Sequence, residues 1–229
     1  MDLDKTSLAQ EFYKVALRYE QKSAAIVQSI LFITEADLEA REKTPLREVI
    51  NNFEKYLKPH SLNFHSYFFC QFLVSLISEA EIYFVDVLRI LINKYPFKLG
   101  NISFKLSEIL DLSKEELITK AAEDYLNRLT YKKPIEYLED LINTLSIDKE
   151  SIYDFWPIFA EAKARRDVGI HNNWLINDIY KRKVIEVGLE PTQGENDLLI
   201  PDSDYLISTI KTCDQIIHSI HKQLIVKYS

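Results

Sequence analysis

Glycine is scarce in this sequence, which has only four glycines among its 229 residues. β-Sandwiches and barrels need many turn residues, and disordered polymers contain fewer apolar residues than the 47% found here. Both classes are therefore excluded. The composition predicts an all-α protein, and the length allows one sizeable core, so we expect a single helical domain over residues 1–229.

Cysteine and uninterrupted apolar runs are also scarce. Cys70 and Cys213 lack the spacing of metal sites, so we expect two buried free thiols, no metal and no cofactor. The N-terminus has no basic region followed by an apolar run, and charged residues such as Glu79 and Glu81 interrupt the most apolar stretch, residues 68–92. We expect no signal peptide, no membrane contact and a cytoplasmic location. We expect the two glutamates to pair with arginines across the bundle, unless one of them reaches the functional site.

Positive charge is in deficit, with a formal net charge of -7. The surface as a whole should repel nucleic acid, and any RNA contact must come from a local basic patch. Residues 161–183 form one candidate, with six basic and three acidic side chains; the alternative is a solvated helix face. The basic residues are Lys163, Arg165, Arg166, Lys181, Arg182 and Lys183.

Helical periodicity extends through most of the chain. Residues 1–60 predict N-terminal helices. Apolar residues at helical spacing over residues 6–34, a charged stretch and an amphipathic piece that ends near residue 57 predict a long helix or a helical hairpin, before a breaker at residues 59–63. The apolar residues 66–94 should form the centre of the bundle.

Later segments carry start and stop signals. Residues 101–148 predict inserted helices, opened by a capping box at Ser113 and by Pro134. Residues 97–104 are expected to be extended or to form a two-stranded element. Asp148 or Ser151 is expected to cap the next helix, residues 188–201 to form a surface loop or short hairpin, and Asp202 or Ser203 to cap the last helix.

The most informative stretch is ARRDVGIHNNWLIN, residues 164–177, which combines Arg166, Asp167 and His171. Histidine can take and give a proton near neutral pH, and arginine offers a permanent charge that matches a phosphate. Because RNA carries its own nucleophile, the 2′-hydroxyl, these groups suffice in principle for cleavage: His171 as acid–base catalyst, Arg166 as stabiliser of the phosphoryl charge and Asp167 as orienter. In an unbroken helix Arg166 and His171 point about 140° apart, so a turn at Gly169 is the geometry expected to bring them to one phosphate.

Neighbouring residues have two interpretations each. Arg165 is a salt-bridging neighbour or, with Lys163, an RNA contact. Asn172 and Asn173 cap the following helix or donate to phosphate, and we expect one of them to cap. Trp174 is a core residue or a platform for base stacking.

This string resembles the R-x4–6-H signature of HEPN domains, in which a polar residue commonly follows the arginine. The longer form RRDVGIHNNWLIN resembles the RRN-x-x-x-HN-x-x-x-x-N pattern of large bacterial branches of that family, with Asp167 in place of the commoner asparagine and Trp174 where a small residue is frequent. The apolar residues 72–99 are similar to the preceding helix of those branches. The resemblance covers residues 66–229, with residues 101–148 as an insertion.

The resemblance implies an all-α bundle that pairs about a two-fold axis, so that both subunits contribute to one composite site. It implies a metal-independent endoribonuclease that leaves a 2′,3′-cyclic phosphate, in a toxin–antitoxin or phage-defence system with an antitoxin or defence partner protein. Other members of the family have lost activity and act as binding modules. A third interpretation is a helical regulator of another enzyme whose inserted helices carry the contact surface.

Overall fold

The computed structural model describes residues 2–39, 64–193 and 195–228. Over these ranges the chain forms eight α-helices and no strand, so the predicted all-α class is confirmed. An isolated bridge pairs Leu175 with Leu198. The helices are α1 (Asp2–Glu39), α2 (Phe64–Lys94), α3 (Lys114–Thr130), α4 (Pro134–Leu145), α5 (Glu150–Tyr153), α6 (Trp156–Asn172), α7 (Asp178–Glu186) and α8 (Ser203–Tyr228), with 3-10 turns at Pro96–Leu99, Leu106–Glu108 and Glu195–Asp197.

Helix α2 is the centre of the bundle, because apolar residues occupy nearly all of its circumference. It contacts α1, α3, α4, α6 and α8. Its fully buried residues recur every three or four positions, as in the series Leu73, Ile77, Ala80, Phe84 and Leu88. By length and composition Ser66–Lys94 is also the one helix of the described residues that could cross a membrane, with a mean hydropathy of 1.5. The central helix of a water-soluble bundle has the same character.

The first and last helices pack together against α2. Over the described residues the N-terminal segment is one long helix, and Phe12 of α1 lies against Tyr228 of α8, with ring centroids 5.7 Å apart. Tyr19 donates a hydrogen bond to Asp214 Oδ1 at 3.0 Å. The amphipathic piece expected to end near residue 57 and the breaker at residues 59–63 lie outside the described residues.

Local start signals place several helix ends where the sequence predicts them. The Ser113 hydroxyl accepts from Glu116 N at 3.2 Å while the Glu116 carboxylate accepts from Ser113 N at 2.8 Å, so the capping box opens α3 as predicted. Pro134 occupies the first turn of α4. Asp202 Oδ1 accepts from Tyr205 N at 2.7 Å, which makes Asp202 the cap of α8.

One local prediction is corrected, and one alternative is removed in each of two segments. Neither Asp148 nor Ser151 caps α6, because the chain first forms α5 and then restarts at Trp156 with a proline in the first helical turn. Residues 97–104 contain the end of a 3-10 turn and no strand. In residues 188–201, Leu198 pairs with Leu175 outside the segment, so the described part of this segment is a loop and not a hairpin.

Helices α3 and α4, which occupy most of residues 101–148, share the main hydrophobic core. Leu126 and Leu129 of α3 and Leu138 and Leu141 of α4 are buried in the same cluster as the α2 side chains. The inserted helices are therefore packed as part of the bundle, and the loop between them reaches the site described next.

Candidate active site

A cleft of about 800 Å³ opens between α2, α6, α7 and the loop at residues 130–134. Helix α6 contributes Lys163, Arg166, Asp167 and His171 to its walls. Five basic and three acidic side chains line the cleft, so it has an excess of positive charge on a chain whose formal net charge is -7. These side chains are Arg89, Lys132, Lys163, Arg166 and Lys183, with Glu81, Asp86 and Asp167.

Glu81 of α2 is the anionic partner of the two basic residues on the cleft wall. Its Oε1 lies 2.6 Å from Lys163 Nζ, and its Oε2 accepts a hydrogen bond from the Arg166 guanidinium. Of the two glutamates singled out in the sequence, Glu81 is thus the one that reaches the site, whereas Glu79 pairs with Lys22 of α1 at 2.7 Å. An ion pair that is only 14–16% exposed at each side chain holds Arg166 more firmly than a solvated surface pair would.

Asp167 is paired on both sides. Its Oδ1 lies 3.3 Å from Arg166 Nε, and its Oδ2 accepts from Lys183 Nζ of α7 at 3.0 Å. This pairing offsets the repulsion that a free aspartate would exert on a phosphate. The Arg166 Nε–H is buried and makes no regular hydrogen bond to the described part of the protein, and its nearest anionic neighbour is Asp167 Oδ1 at 3.3 Å.

His171 lies in the last turn of α6 and is exposed. The helix continues through Gly169 to Asn172, so the turn predicted at Gly169 is wrong. Arg166 and His171 consequently stay about 140° apart around the helix axis, although both line the cleft. Lys163, Asp167 and His171 follow one another at intervals of four residues and form one row along the helix.

Gly169 has a packing role instead. A Cβ at this position would lie 2.5 Å from two atoms of the Trp174 ring and 2.6 Å from a third. Trp174 folds back onto the helix because Asn173 and Trp174 both have left-handed backbone angles, with φ of 50° and 66°. The Trp174 ring is 8% exposed and belongs to the core, so the structure does not support its use for base stacking.

The asparagines after His171 form the end of α6 rather than the start of α7. Asn173 is the left-handed residue that terminates α6, and the Asn172 side chain donates to the Leu175 carbonyl oxygen at 2.6 Å. Asn177 Oδ1 accepts from Tyr180 N at 2.9 Å and caps α7. The prediction that Asn172 or Asn173 caps the following helix is therefore wrong, and neither lines the cleft.

Arg165 points into the protein, away from the cleft. It donates to Glu161 Oε1 at 2.9 Å and to the Thr192 hydroxyl at 3.0 Å, and its guanidinium lies 4.0 Å from the centre of the Tyr205 ring. Glu161 also accepts from the hydroxyls of Tyr180 and Tyr205, and burial together with this carboxylate raises the pKa of both tyrosines. With 6% of its surface exposed, Arg165 is the salt-bridging neighbour and is not placed to contact RNA.

Several cleft residues were not predicted from the sequence. Asp86 and Arg89 form an ion pair of 2.8 Å on the same side of α2 as Ile82, and charged residues at helical spacing within an apolar helix are the signal that could have identified them. Lys132 and its neighbours in the loop at residues 130–134 gave no such signal, because only the packing of α3 and α4 brings that loop to α6.

Comparison with known proteins finds no matching family model, no matching curated protein and no matching solved structure. The resemblance to HEPN domains rests on Arg166, Asp167, His171 and the string around them. All three residues line the basic cleft.

Proposed function

We propose that the chain is a metal-independent endoribonuclease of the HEPN type, acting in the cytoplasm as a toxin or phage-defence effector. The observation that supports this most directly is the cleft itself, in which two arginines, a histidine and three lysines surround one space on an acidic protein. A local excess of positive charge attracts a polyanion where the rest of the surface repels it.

Arg166 is the group we assign to the phosphate. Glu81 and Asp167 hold its guanidinium in the cleft wall. The fixed guanidinium would stabilise the charge that builds up on the phosphoryl group during the reaction. Lys163 and Lys183 add charge on either side.

His171 is the proton-transfer group. As base, it takes the proton of the 2′-hydroxyl while the 2′-oxygen attacks phosphorus; as acid, its conjugate form gives a proton to the departing 5′-oxygen. The products are a 2′,3′-cyclic phosphate and a free 5′-hydroxyl. Positioned acid–base catalysis of this kind contributes on the order of 10²–10⁴-fold to the rate.

A second copy of the chain completes the site in this proposal. One histidine cannot stand on both sides of one phosphate at once, whereas two copies related by a two-fold axis supply two histidines and twice the local positive charge. Exposed apolar residues at the site support such a contact: Ile82 and Ile179 line the cleft at 42% and 55% exposure, and Ile170, next to His171, is 50% exposed.

The test compares cleavage of end-labelled RNA by the wild type and two cleft variants, His171→Ala and Arg166→Ala. Matched controls are His218→Ala and Arg182→Ala, since both residues are exposed and lie outside the lining of the cleft. We expect the cleft variants to lose about 10²-fold or more in rate, while the controls keep the wild-type rate. Equal cleavage by wild type and His171→Ala would overturn the proposal.

A second candidate function is a non-catalytic HEPN module that binds a protein or a nucleotide-handling partner. Two observations favour it. Arg166 already forms ion pairs with Glu81 and Asp167, and no described residue makes a hydrogen bond to the His171 ring that would orient it. Overexpression separates the two functions: growth arrest relieved by His171→Ala supports the nuclease, whereas equal tolerance of both proteins, together with no RNA cleavage in vitro, supports the binding module.

A further inference from the structure

Tyr131 differs from every other aromatic residue that lines the cleft. The lining contains four further aromatic side chains, Tyr137, Trp156, Phe159 and Tyr180, and each of them is at most 2% exposed. Tyr131 is 91% exposed. Its ring is therefore the one aromatic surface that a molecule in the cleft can reach among the described residues.

The loop that carries Tyr131 is held in place at several points. Tyr131 N donates to the Arg128 carbonyl at 3.3 Å, and Lys132 N donates to the Leu129 carbonyl at 3.1 Å. The buried Trp156 donates its indole N–H to the Pro134 carbonyl at 2.9 Å. These contacts fix the backbone of the loop, and the Tyr131 ring stays exposed on it, although burying a tyrosine would remove about 150–250 Å² of surface from water.

Two lysines follow Tyr131 at the same rim, and each is paired with an acid. Lys132 pairs with Asp140, and Lys133 lies 3.7 Å from Glu186 of α7, so the net positive charge near the ring is that of the cleft lining as a whole. An aromatic platform next to basic side chains is the arrangement by which proteins bind single-stranded nucleic acid, because bases stack on the ring while the phosphates meet the cations.

We propose that Tyr131 stacks on a base of a bound single-stranded RNA, so that the inserted helices supply part of the substrate site. This inference rests on the proposed function, since the strand is the one whose phosphate Arg166 binds. Stacking uses the face of the base, which every base has, so Tyr131 selects unpaired nucleotides and fixes their position without reading sequence. A base in a duplex is already stacked and would not reach the ring.

The experiment measures binding of fluorescein-labelled single-stranded eight-nucleotide RNA by anisotropy, with His171→Ala as the parent so that no cleavage interferes. Tyr131→Ala should weaken binding about 5- to 150-fold, whereas Tyr131→Phe, which keeps the ring, should bind within about twofold of the parent. The matched control is Tyr153→Ala, since Tyr153 is 55% exposed and does not line the cleft; it should bind as the parent does.

A second oligonucleotide, with abasic residues on an intact ribose–phosphate backbone, separates stacking from a general effect of the substitution. The parent should bind it more weakly than the normal strand, and Tyr131→Ala should bind it no more weakly than the parent does. If Tyr131→Ala binds the normal strand as tightly as the parent does, while Arg166→Ala binds it poorly, the stacking role is overturned and the nuclease proposal stands. A parent that binds no RNA overturns both.

Sedimentation of the same variants tests whether the Tyr131 ring contacts a second copy of the chain instead of RNA. If Tyr131→Ala dissociates a dimer at the concentration at which the parent remains dimeric, the ring belongs to the subunit contact and the stacking role is overturned. An unchanged oligomeric state together with weakened RNA binding supports stacking.

Discussion

Replacing Gly169 with alanine tests the account of the helix that carries Arg166 and His171. Alanine in a helix interior is ordinarily better than glycine by about 1 kcal/mol, so without a tertiary contact the substitution should stabilise the protein. Here the new Cβ would lie 2.5 Å from the Trp174 ring, and carbon atoms in contact prefer roughly 3.5 Å, so the ring must retreat by about 1 Å.

The Trp174 ring has little freedom to move away from Gly169. The backbone N–H of Trp174 donates to the Val168 carbonyl at 3.3 Å, the Trp174 carbonyl accepts from Leu199 N at 2.9 Å, and the side chain is buried. Overpacking of this kind costs about 1–3 kcal/mol, and three ring atoms in the clash favour the upper end. After the helix gain of about 1 kcal/mol, we expect Gly169→Ala to lower the free energy of unfolding by about 2 kcal/mol and Tm by about 4–8 °C.

Urea unfolding followed by far-ultraviolet circular dichroism measures this effect in two backgrounds. In Trp174→Ala the new methyl group meets no ring, so Gly169→Ala should there stabilise by about 1 kcal/mol, and the sign of the effect reverses. If Gly169→Ala stabilises the protein in both backgrounds, the contact between Gly169 and Trp174 does not exist and the proposed helix end is wrong.

Three further predictions concern the interior. Arg165→Met should lower the free energy of unfolding by about 3 kcal/mol, measured by urea, because Glu161 is left buried without a cation. Burial raises the pKa of Cys70 to about 12 and also raises the pKa of Cys213, so neither thiol should react with Ellman's reagent at pH 7.5 until the protein is unfolded. Burial lowers the pKa of His221 below its ordinary 6.5, so the fold favours the neutral ring and loses stability as pH falls through and below that value; His221→Gln should lose less between pH 7 and pH 5.

The sequence was most informative where a signal is local. The capping box at Ser113 and the proline at 134 act within one turn, and both place helix starts where they occur. The row of apolar residues in α2 likewise predicts the central helix, since a helix with apolar residues on nearly all sides must be surrounded by others.

Prediction was wrong where the deciding contact is tertiary. Gly169 was predicted to be a turn because glycine permits one. The Trp174 ring lies close to Gly169 only because Asn173 and Trp174 adopt left-handed backbone angles, and neither residue type specifies that conformation. Arg165 and Arg166 are chemically equivalent neighbours, and only the rotation of α6 about its axis decides that Arg165 lies in the core and Arg166 lines the cleft. That rotation could have been inferred from Ala164 and Val168, which lie on the buried side of the helix.

The measurement that tests the central claim most directly is the chemistry of the RNA ends produced by the wild-type protein in excess EDTA. Attack by the 2′-hydroxyl at a site formed by Arg166 and His171 predicts fragments with 2′,3′-cyclic phosphate and 5′-hydroxyl ends, and no cleavage at a mapped position once its 2′-hydroxyl is replaced by hydrogen. Fragments with 3′-hydroxyl and 5′-phosphate ends, or cleavage that persists at the 2′-deoxy position, would contradict the account.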